Sequence, residues 1–229
     1  MLSPFLFAIY LDDIPVLRSL LPRSYVVLYA DDILLIAPSV SELQELFDAC
    51  VIELSWLDMN INEKKSCCIR IGPQWDVRCR SIKTSNGHII PWVTEFRYLG
   101  TYVVGGRTFK CSTTHAKWSF HRAINAIFGK IGRIASEVIL ELVKNKCIPC
   151  LLYGLECYTM PKSSLRSLDF VVVRFLMKLF KTVNNEIIRE CCSYFKFPLP
   201  SELLDKRRDK FQSNFMLCTG ILHYFGIKT

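Results

Sequence analysis

The stretch "LYADDILLIA", residues 28–37, places two adjacent aspartates, Asp31 and Asp32, inside an apolar run. The segments "SYVVLYA" before the pair and "ILLIAPS" after it are rich in β-branched and aliphatic residues, so they predict two short strands joined at a polar tip. Because both segments are almost uninterruptedly apolar, we expect both faces of this hairpin to be buried and its tip to lie against other protein. A solvated turn is the alternative, since Asp is common in turns.

Two carboxylates at a buried tip would repel each other and would be poorly solvated. A bound divalent cation removes both problems. Carboxylate oxygens are the ligands that Mg²⁺ prefers, and paired metal ions about 3.5–4 Å apart stabilise the attacking and leaving oxygens of phosphoryl transfer. The aspartate pair is therefore a candidate metal site.

The composition predicts a folded chain with two unlike halves. The 229 residues are 51% hydrophobic and 22% charged, which favours a packed core. No apolar stretch of about 20 residues runs without charge, and no basic start with a cleavage site is present, so we expect no membrane span and no signal peptide. Residues 1–105 carry net charge −3 and residues 106–229 carry +11, which favours cation binding by the first half and polyanion binding by the second.

The eleven cysteines are scattered and odd in number, which predicts a reducing compartment and mostly buried thiols. Cys147 and Cys150 form a C-x-x-C pair, and Cys157 follows seven residues later. A zinc site needs a fourth ligand, and none is near at the usual spacing. Structural thiols are the favoured interpretation here, and a metal site is the alternative.

The first half mixes helix and strand signals. Pro4 after Ser3 suits the start of a helix over residues 3–14. A second helix is predicted over 41–57, with a capping box formed by Ser39 and Glu42 or by Ser41 and Gln44. Residues 60–72 predict a turn and a strand, and residues 87–104 predict a strand pair.

The second half has long helical patterns. A stripe of apolar residues begins near residue 115: Trp118, His121, Ile124, Phe128, Ile131 and Ala135. Residues 137–157 predict a buried helix that is kinked or broken near Pro149. Further helices are predicted over 164–181, 185–196 and 201–218. The chain is thus α+β, with a mixed part over 1–105 and an all-α part over 106–229.

Two groups of residues in the helical half have alternative interpretations. We expect His121 and five aromatic residues to lie in the core rather than to stack on a ligand: Trp118, Phe120, Phe128, Phe175 and Phe180. Basic residues form two clusters, which are either solvated faces or phosphate-binding surfaces: Arg166, Arg174, Lys178 and Lys181, then Lys206, Arg207, Arg208 and Lys210. The excess of +11 favours phosphate binding.

"YADD" between two apolar strands resembles the catalytic hairpin of reverse transcriptases. Other segments resemble, in order, parts of the polymerases of LINE-type (non-LTR, jockey-like) retrotransposons: "LSPFLFAIYLDDI" (2–14), "NINEKKSCCIRI" (60–71), "FRYLGTYV" (96–103), "LLYGLECY" (151–158) and "LDFVVVRFLMKLFKT" (168–182). The resemblance covers nearly the whole chain. It implies a truncated polymerase palm carrying the YADD hairpin, followed by an all-α helical thumb.

The resemblance also implies roles for single residues. Asp31 would be the metal-binding carboxylate of the hairpin, and Asp32 its neighbour and weaker ligand. Lys65, with Lys64 as the close alternative, would donate a proton to the leaving pyrophosphate. The remaining residues would contact the primer or the nucleic-acid backbone: Tyr29, Ala30, Tyr98, Leu99, Gly100, Arg174, Lys178 and Lys181.

The activity implied for the parent enzyme is RNA-directed DNA synthesis with two Mg²⁺, an RNA template, a DNA primer and deoxynucleoside triphosphates, inside the cell and in the nucleus, with the cytoplasm as alternative. The family needs a third carboxylate on an earlier strand, and only 30 residues precede Asp31. Asp12 and Asp13 match a helix end instead. We therefore expect a C-terminal fragment that is inactive alone.

Two other classes of function remain open. The chain could be a non-catalytic nucleic-acid-binding fragment or a domesticated element product, or a structural protein with an incidental YADD turn. Binding of an RNA–DNA hybrid without primer extension favours the former. If Asp31→Ala and Asp32→Ala hardly change the binding of Mg²⁺ or of a duplex, the structural protein is favoured.

Overall fold

The computed structural model describes residues 23–131 and 136–217. The chain divides into two compact units. The first takes in residues up to Phe96 together with Val104–Phe109, and the second takes in Arg97–Val103 and the residues from Lys110 onward. The helix predicted over 3–14, with Asp12 and Asp13, lies outside the described residues, as does Ala135. The observed fold is mixed α and β in the first part and helical in the second, as predicted.

The first unit is built around a hairpin and one long helix. Antiparallel strands β1 (Tyr25–Tyr29) and β2 (Asp32–Ile36) form the predicted hairpin. Helix α1 (Val40–Trp56) follows, and β3 (Ile82–Lys83) and β4 (Ile89–Ile90) pair as a second, short hairpin.

Helix α1 begins with a capping box. The backbone N–H of Glu42 donates to Ser39 Oγ at 3.2 Å, and Ser39 Oγ donates to the Glu42 carboxylate at 2.9 Å. Of the two predicted boxes, Ser39 with Glu42 is the observed one. The Gln44 side chain instead donates to the Lys83 carbonyl and accepts from the Lys83 N–H, at 2.8 and 2.9 Å. These two bonds tie α1 to β3.

The core of the first unit lies between α1 and the short β3–β4 hairpin, where Phe47, Ile82 and Ile90 are buried. Leu35 of β2 packs against this core. The expectation that both faces of the first hairpin are buried is wrong, because Tyr29 is 61% exposed and Leu28 and Ile36 are also exposed. Among the described residues, strands β1 and β2 form a sheet of two strands, and the exposed side chains lie on both of its faces, because Leu28 shares a face with Leu35 whereas Tyr29 and Ile36 lie on the other.

The strand predicted within residues 60–72 is also not formed. Cys68 makes an isolated parallel bridge to Trp92, and Ile71 makes another to Gly106. The Cys68 N–H donates to the Pro91 carbonyl at 2.8 Å. The Val93 N–H donates to the Cys68 carbonyl at 2.8 Å, which completes this one bridge. Because Pro91 has no N–H to donate to a further carbonyl, the ladder does not extend beyond the bridge on that side.

The strand pair predicted over 87–104 is confirmed. Strands β5 (Glu95–Tyr98), β6 (Thr101–Val104) and β7 (Lys110–Ser112) form a three-stranded sheet in that order. The two residues Leu99 and Gly100 connect β5 to β6.

Helices make up the rest of the second unit. They are, in order, α2 (Thr114–Ile131), α3 (Ser136–Leu142), a π-helix (Val143–Cys147), α4 (Ile148–Leu151), a 3₁₀-helix (Leu155–Cys157), α5 (Lys162–Phe180), α6 (Asn185–Tyr194) and α7 (Pro200–Leu217). The irregularity predicted near Pro149 is present as a π-helical turn that precedes this proline, but the helix continues through Pro149 to Leu151 and is not broken there.

The core of the second unit is formed mainly by α2, the α3–α4 segment and α5. Phe120 and Phe175 are buried in it, and Phe128 and Phe180 pack against it, as predicted. The prediction is wrong for Trp118 and His121, which are exposed. The buried stripe of α2 runs through Phe120 and Ile124. Trp118 lies two residues before Phe120, which is about 200° around the helix.

The thiols are less buried than predicted. Of the ten cysteines among the described residues, Cys50 and Cys147 are buried, whereas Cys150 and Cys157 are exposed. No disulfide joins these ten cysteines. Within residues 23–131 and 136–217, every helix is too short or too polar to cross a membrane.

Candidate functional site

The aspartate pair lies at the tip of the β1–β2 hairpin. Tyr29 is paired with Asp32 in the strand register, so Ala30 and Asp31 form a two-residue loop. Ala30 has a φ of 50°, a conformation in which hairpin loops usually place glycine or asparagine. Both carboxylates are exposed. The tight loop therefore holds Asp31 at the outermost point of the hairpin, with Asp32 at the first position of β2.

The pair fits a divalent cation in ligand type but is incomplete in number. Carboxylate oxygens suit a hard cation. In the described part of the chain, however, no group of three or more His, Cys, Asp or Glu side chains could hold a metal ion. Asp31 and Asp32 thus offer at most a two-carboxylate site there, and the Cys147, Cys150 and Cys157 thiols form no metal site.

Lys64 and Lys65 lie on an exposed turn that Asn62 organises. The Asn62 side-chain oxygen accepts the backbone N–H of Lys65 at 3.2 Å, and its carbonyl accepts the N–H of Ser66 at 3.0 Å. This is an Asx-type turn. Asn62 therefore has a structural reason to precede the lysines, and both ammonium groups reach solvent.

The β5–β6 hairpin has a strained tip. Leu99 and Gly100 have φ values of 45° and 86°, so both residues of the two-residue loop are in the left-handed region, as in a type I′ turn. Leucine is unusual there, because a Cβ makes that conformation costly. Tyr98 is the last residue of β5, next to this tip.

Two of the segments singled out in the sequence meet at this tip. A Cβ added to Gly100 would lie 2.8 Å from Tyr153 Cε1, and a Cβ added to Gly154 would lie 2.7 Å from Thr101 Cγ2. Each glycine thus leaves room for a neighbour of the other. "FRYLGTYV" and "LLYGLECY" are therefore packed against each other through reciprocal glycine contacts, which the sequence patterns did not reveal.

The basic residues of α5 form an exposed face. Arg174 and Lys178 are exposed one turn apart, Lys181 follows at the C-terminal end, and Arg166 lies further toward the start. The Lys178 ammonium donates to the Asn125 side-chain oxygen at 3.2 Å and lies 4.9 Å from the centre of the Phe128 ring. This face can contact phosphates.

The second basic cluster does not form one surface. Lys206 and Lys210 are exposed, but Arg208 is largely buried and lies 3.6 Å from the Asp205 carboxylate. Its Nε and one Nη are buried without a hydrogen-bond partner. Neighbouring residues of this basic run lie on different sides of the helix, so some side chains face solvent and others face the protein.

Residues 1–103 match the family model of reverse transcriptases (RNA-dependent DNA polymerases). The matched segment contains the aspartate hairpin, the Asn62 turn and the β5–β6 tip. No curated protein and no solved structure matches the chain.

The reverse transcriptase match extends the interpretation of the hairpin. Reverse transcriptases use divalent metal ions and bind a nucleic-acid template and primer. Exposed carboxylates on a tight hairpin in the matched segment are the residue type that this chemistry requires. The match ends before α2, so it does not extend to the helical part of the second unit.

Proposed function

We propose that the chain is the end of the palm and the thumb of a reverse transcriptase from a LINE-type, non-LTR retrotransposon. The observation that carries this proposal is the pair of exposed carboxylates on a two-residue hairpin loop inside the matched segment. The segment order and the packing of Gly100 against Tyr153 support it.

In this proposal Asp31 is the principal metal ligand. Asp31 occupies the loop while Asp32 begins β2, and successive strand residues point in different directions, so the two carboxylates are not equivalent. Bound divalent cations would supply electrostatic stabilisation to nucleotidyl transfer. Lys65, or Lys64 beside it, would donate a proton to the leaving pyrophosphate, and its exposed turn leaves it free to do so.

The primer would be held by the hairpin tips, and the duplex by the helices. Tyr29 is 61% exposed and Ala30 is exposed beside Asp31, which suits contact with a primer terminus. By the same resemblance, Tyr98, Leu99 and Gly100 at the β5–β6 tip would also contact a primer. Arg174, Lys178 and Lys181 would contact phosphates of an RNA–DNA duplex, which requires charge and little base readout.

We also infer that residues 1–229, tested alone, do not extend a primer. The resemblance requires a third carboxylate that no matched position of this chain supplies, and positioning of metal and nucleotide accounts for most of phosphoryl transfer. The experiment measures hybrid binding and primer extension on the same RNA template with Mg²⁺ or Mn²⁺. We expect salt-dependent binding without extension.

Two results would contradict these proposals separately. Extension that Asp31→Asn abolishes would refute the inferred inactivity while supporting the polymerase assignment. Failure to bind the hybrid even at low salt would refute the assignment of the helices to duplex binding. The second candidate function, a non-catalytic nucleic-acid-binding protein, is favoured by the exposed cations of α5, and it predicts that Asp31→Asn leaves hybrid binding unchanged with or without divalent cation.

A further inference from the structure

Three aromatic rings form a ladder at the start of α2. The Tyr102 ring of β6 stacks on His115, with centroids 3.7 Å apart and planes 9° apart. His115 in turn meets the Trp118 ring edge-on, with centroids 5.4 Å apart. Trp118 is nevertheless 61% exposed. The indole is thus supported by its neighbours while much of its surface faces solvent.

The core of the second unit does not account for this tryptophan. Phe120 and Ile124, on the other side of α2, are the residues that bury the helix. An exposed indole in water forgoes the favourable burial of its large apolar surface. A partner with a flat apolar face would bury this surface by stacking on it. Because Tyr102 and His115 already support the indole, binding would cost less conformational entropy.

The charge around Trp118 indicates which kind of partner carries that face. Helix α2 contains three cations, Lys117, Arg122 and Lys130, and no acidic residue. Arg122 lies one turn after Trp118 and is exposed. Two turns after Trp118, Asn125 holds the Lys178 ammonium at 3.2 Å, which brings a cation of α5 to the same side of α2. A polyanion with aromatic faces complements this surface.

We propose that Trp118 is a stacking platform for an unpaired base of a single-stranded nucleic acid, whose phosphates are contacted by Arg122 and Lys178. Combined aromatic platforms and cations are the general means by which proteins bind single strands. The inference rests on the proposed nucleic-acid function and adds a single-strand site that shares Lys178 with the duplex-binding face of α5 and that the family match does not reach. A paired base cannot stack there, because its faces are already covered.

The test compares a thymidine oligonucleotide with an abasic oligonucleotide of the same length and number of phosphates. Affinities are measured by fluorescence anisotropy for the full chain, for Trp118→Ala and for Trp118→Phe. We expect Trp118→Ala to weaken binding of the thymidine strand by about 5- to 150-fold and to leave binding of the abasic strand unchanged. Trp118→Phe, which keeps a ring, retains most of the affinity.

Two control variants separate stacking from charge and from general surface effects. Trp56 on α1 is 80% exposed, and Trp56→Ala should change neither affinity. Arg122→Gln should weaken both oligonucleotides equally and lower the slope of log affinity against log salt by about 0.7, the value for one phosphate of a single strand. Trp118→Ala should leave that slope unchanged.

The possible failures can be distinguished. If Trp118→Ala lowers the affinity for both oligonucleotides equally, or lowers neither, base stacking is refuted while the hybrid-binding proposal stands. Absence of binding to both oligonucleotides, with hybrid binding retained, refutes the single-strand site alone. Absence of binding to oligonucleotides and hybrid refutes both proposals.

Discussion

Replacing Gly154 by alanine tests the contact between the β5–β6 tip and the turn that follows α4. Gly154 has a φ of +70°, and a Cβ there would lie 2.7 Å from Thr101 Cγ2. The left-handed conformation alone costs an alanine about 1–2 kcal/mol. The Thr101 hydroxyl donates to the Tyr98 carbonyl at 3.0 Å, so the methyl cannot rotate away without losing a bond worth about 0.5–1.5 kcal/mol. The expected loss of unfolding free energy is therefore about 1.5–3.5 kcal/mol.

Urea unfolding followed by the helical circular dichroism signal measures this loss. Thr101→Ser removes the methyl Cγ2 and keeps the hydroxyl, so it should relieve the steric part in the double variant and leave the conformational part. We expect a favourable coupling of about 1 kcal/mol between the two substitutions, measured as a double-mutant cycle. Gly129→Ala is the control, because Gly129 is helical with open space around it, and it should stabilise the protein by about 0.5–1 kcal/mol.

Simple additivity of Gly154→Ala and Thr101→Ser would refute the contact, since two residues that do not touch have no coupling. A loss below about 1 kcal/mol for Gly154→Ala would also refute it, because the left-handed backbone alone costs that much. Either result would mean that the segments around Thr101 and Gly154 do not pack against each other in this way.

Three further predictions concern the rest of the chain. Ser39→Ala should lower the unfolding free energy of the first unit by about 1 kcal/mol, because it removes the cap of α1, and Ser41→Ala, checked by the same denaturation, should not. Burial, with the nearby Glu53 carboxylate, raises the pKa of the Cys50 thiol to about 11. The unfolded thiol ionises at lower pH, so the stability that this thiol contributes is fully present below the unfolded pKa and is lost as pH rises through about 11. In thermal unfolding, the melting temperature of Cys50→Ala should therefore fall less over this pH range than that of the wild type. Lys178→Gln should lower the salt slope of hybrid binding by about 0.9, whereas Lys144→Gln, which removes a cation 3.7 Å from the Glu141 carboxylate, should change it less.

The fold was predictable where one local pattern decides the structure. The aspartate hairpin, the box that caps α1 and the helix irregularity before Pro149 follow from short-range chemistry, and all three are observed. The helix predicted over 164–181 is observed as α5, and Leu168, Val172 and Phe175 are among its buried residues.

Errors arose where distant residues decide the outcome. Trp118 and His121 match a helical stripe as well as Phe120 does, and only packing against α5 and the α3–α4 segment selects the buried one. The strand near Cys68 is limited to one bridge, because its partner Trp92 is far away in sequence and follows Pro91, which has no N–H for a longer ladder. The apolar flanks of the hairpin did not reveal that Leu28, Tyr29 and Ile36 are exposed.

The candidate site was predictable in its residues and not in its contacts. Asp31, Asp32 and the Asn62 turn stand out in the sequence. The reciprocal packing of Gly100 and Gly154 and the support of Trp118 by Tyr102 and His115 join residues that are distant along the chain. No periodic pattern carries that information.

Binding of Mn²⁺ to the chain in the presence of an RNA–DNA hybrid, followed by the paramagnetic signal of the free ion, tests most directly the claim that Asp31 is a metal ligand at a primer end. We expect Asp31→Asn to weaken Mn²⁺ binding by at least about tenfold and Asp32→Asn to weaken it less. Asp58→Asn is the matched control, since Asp58 is exposed and its φ of 54° suits asparagine. Equal Mn²⁺ affinity in the wild type, Asp31→Asn and Asp58→Asn would contradict the assignment of the hairpin.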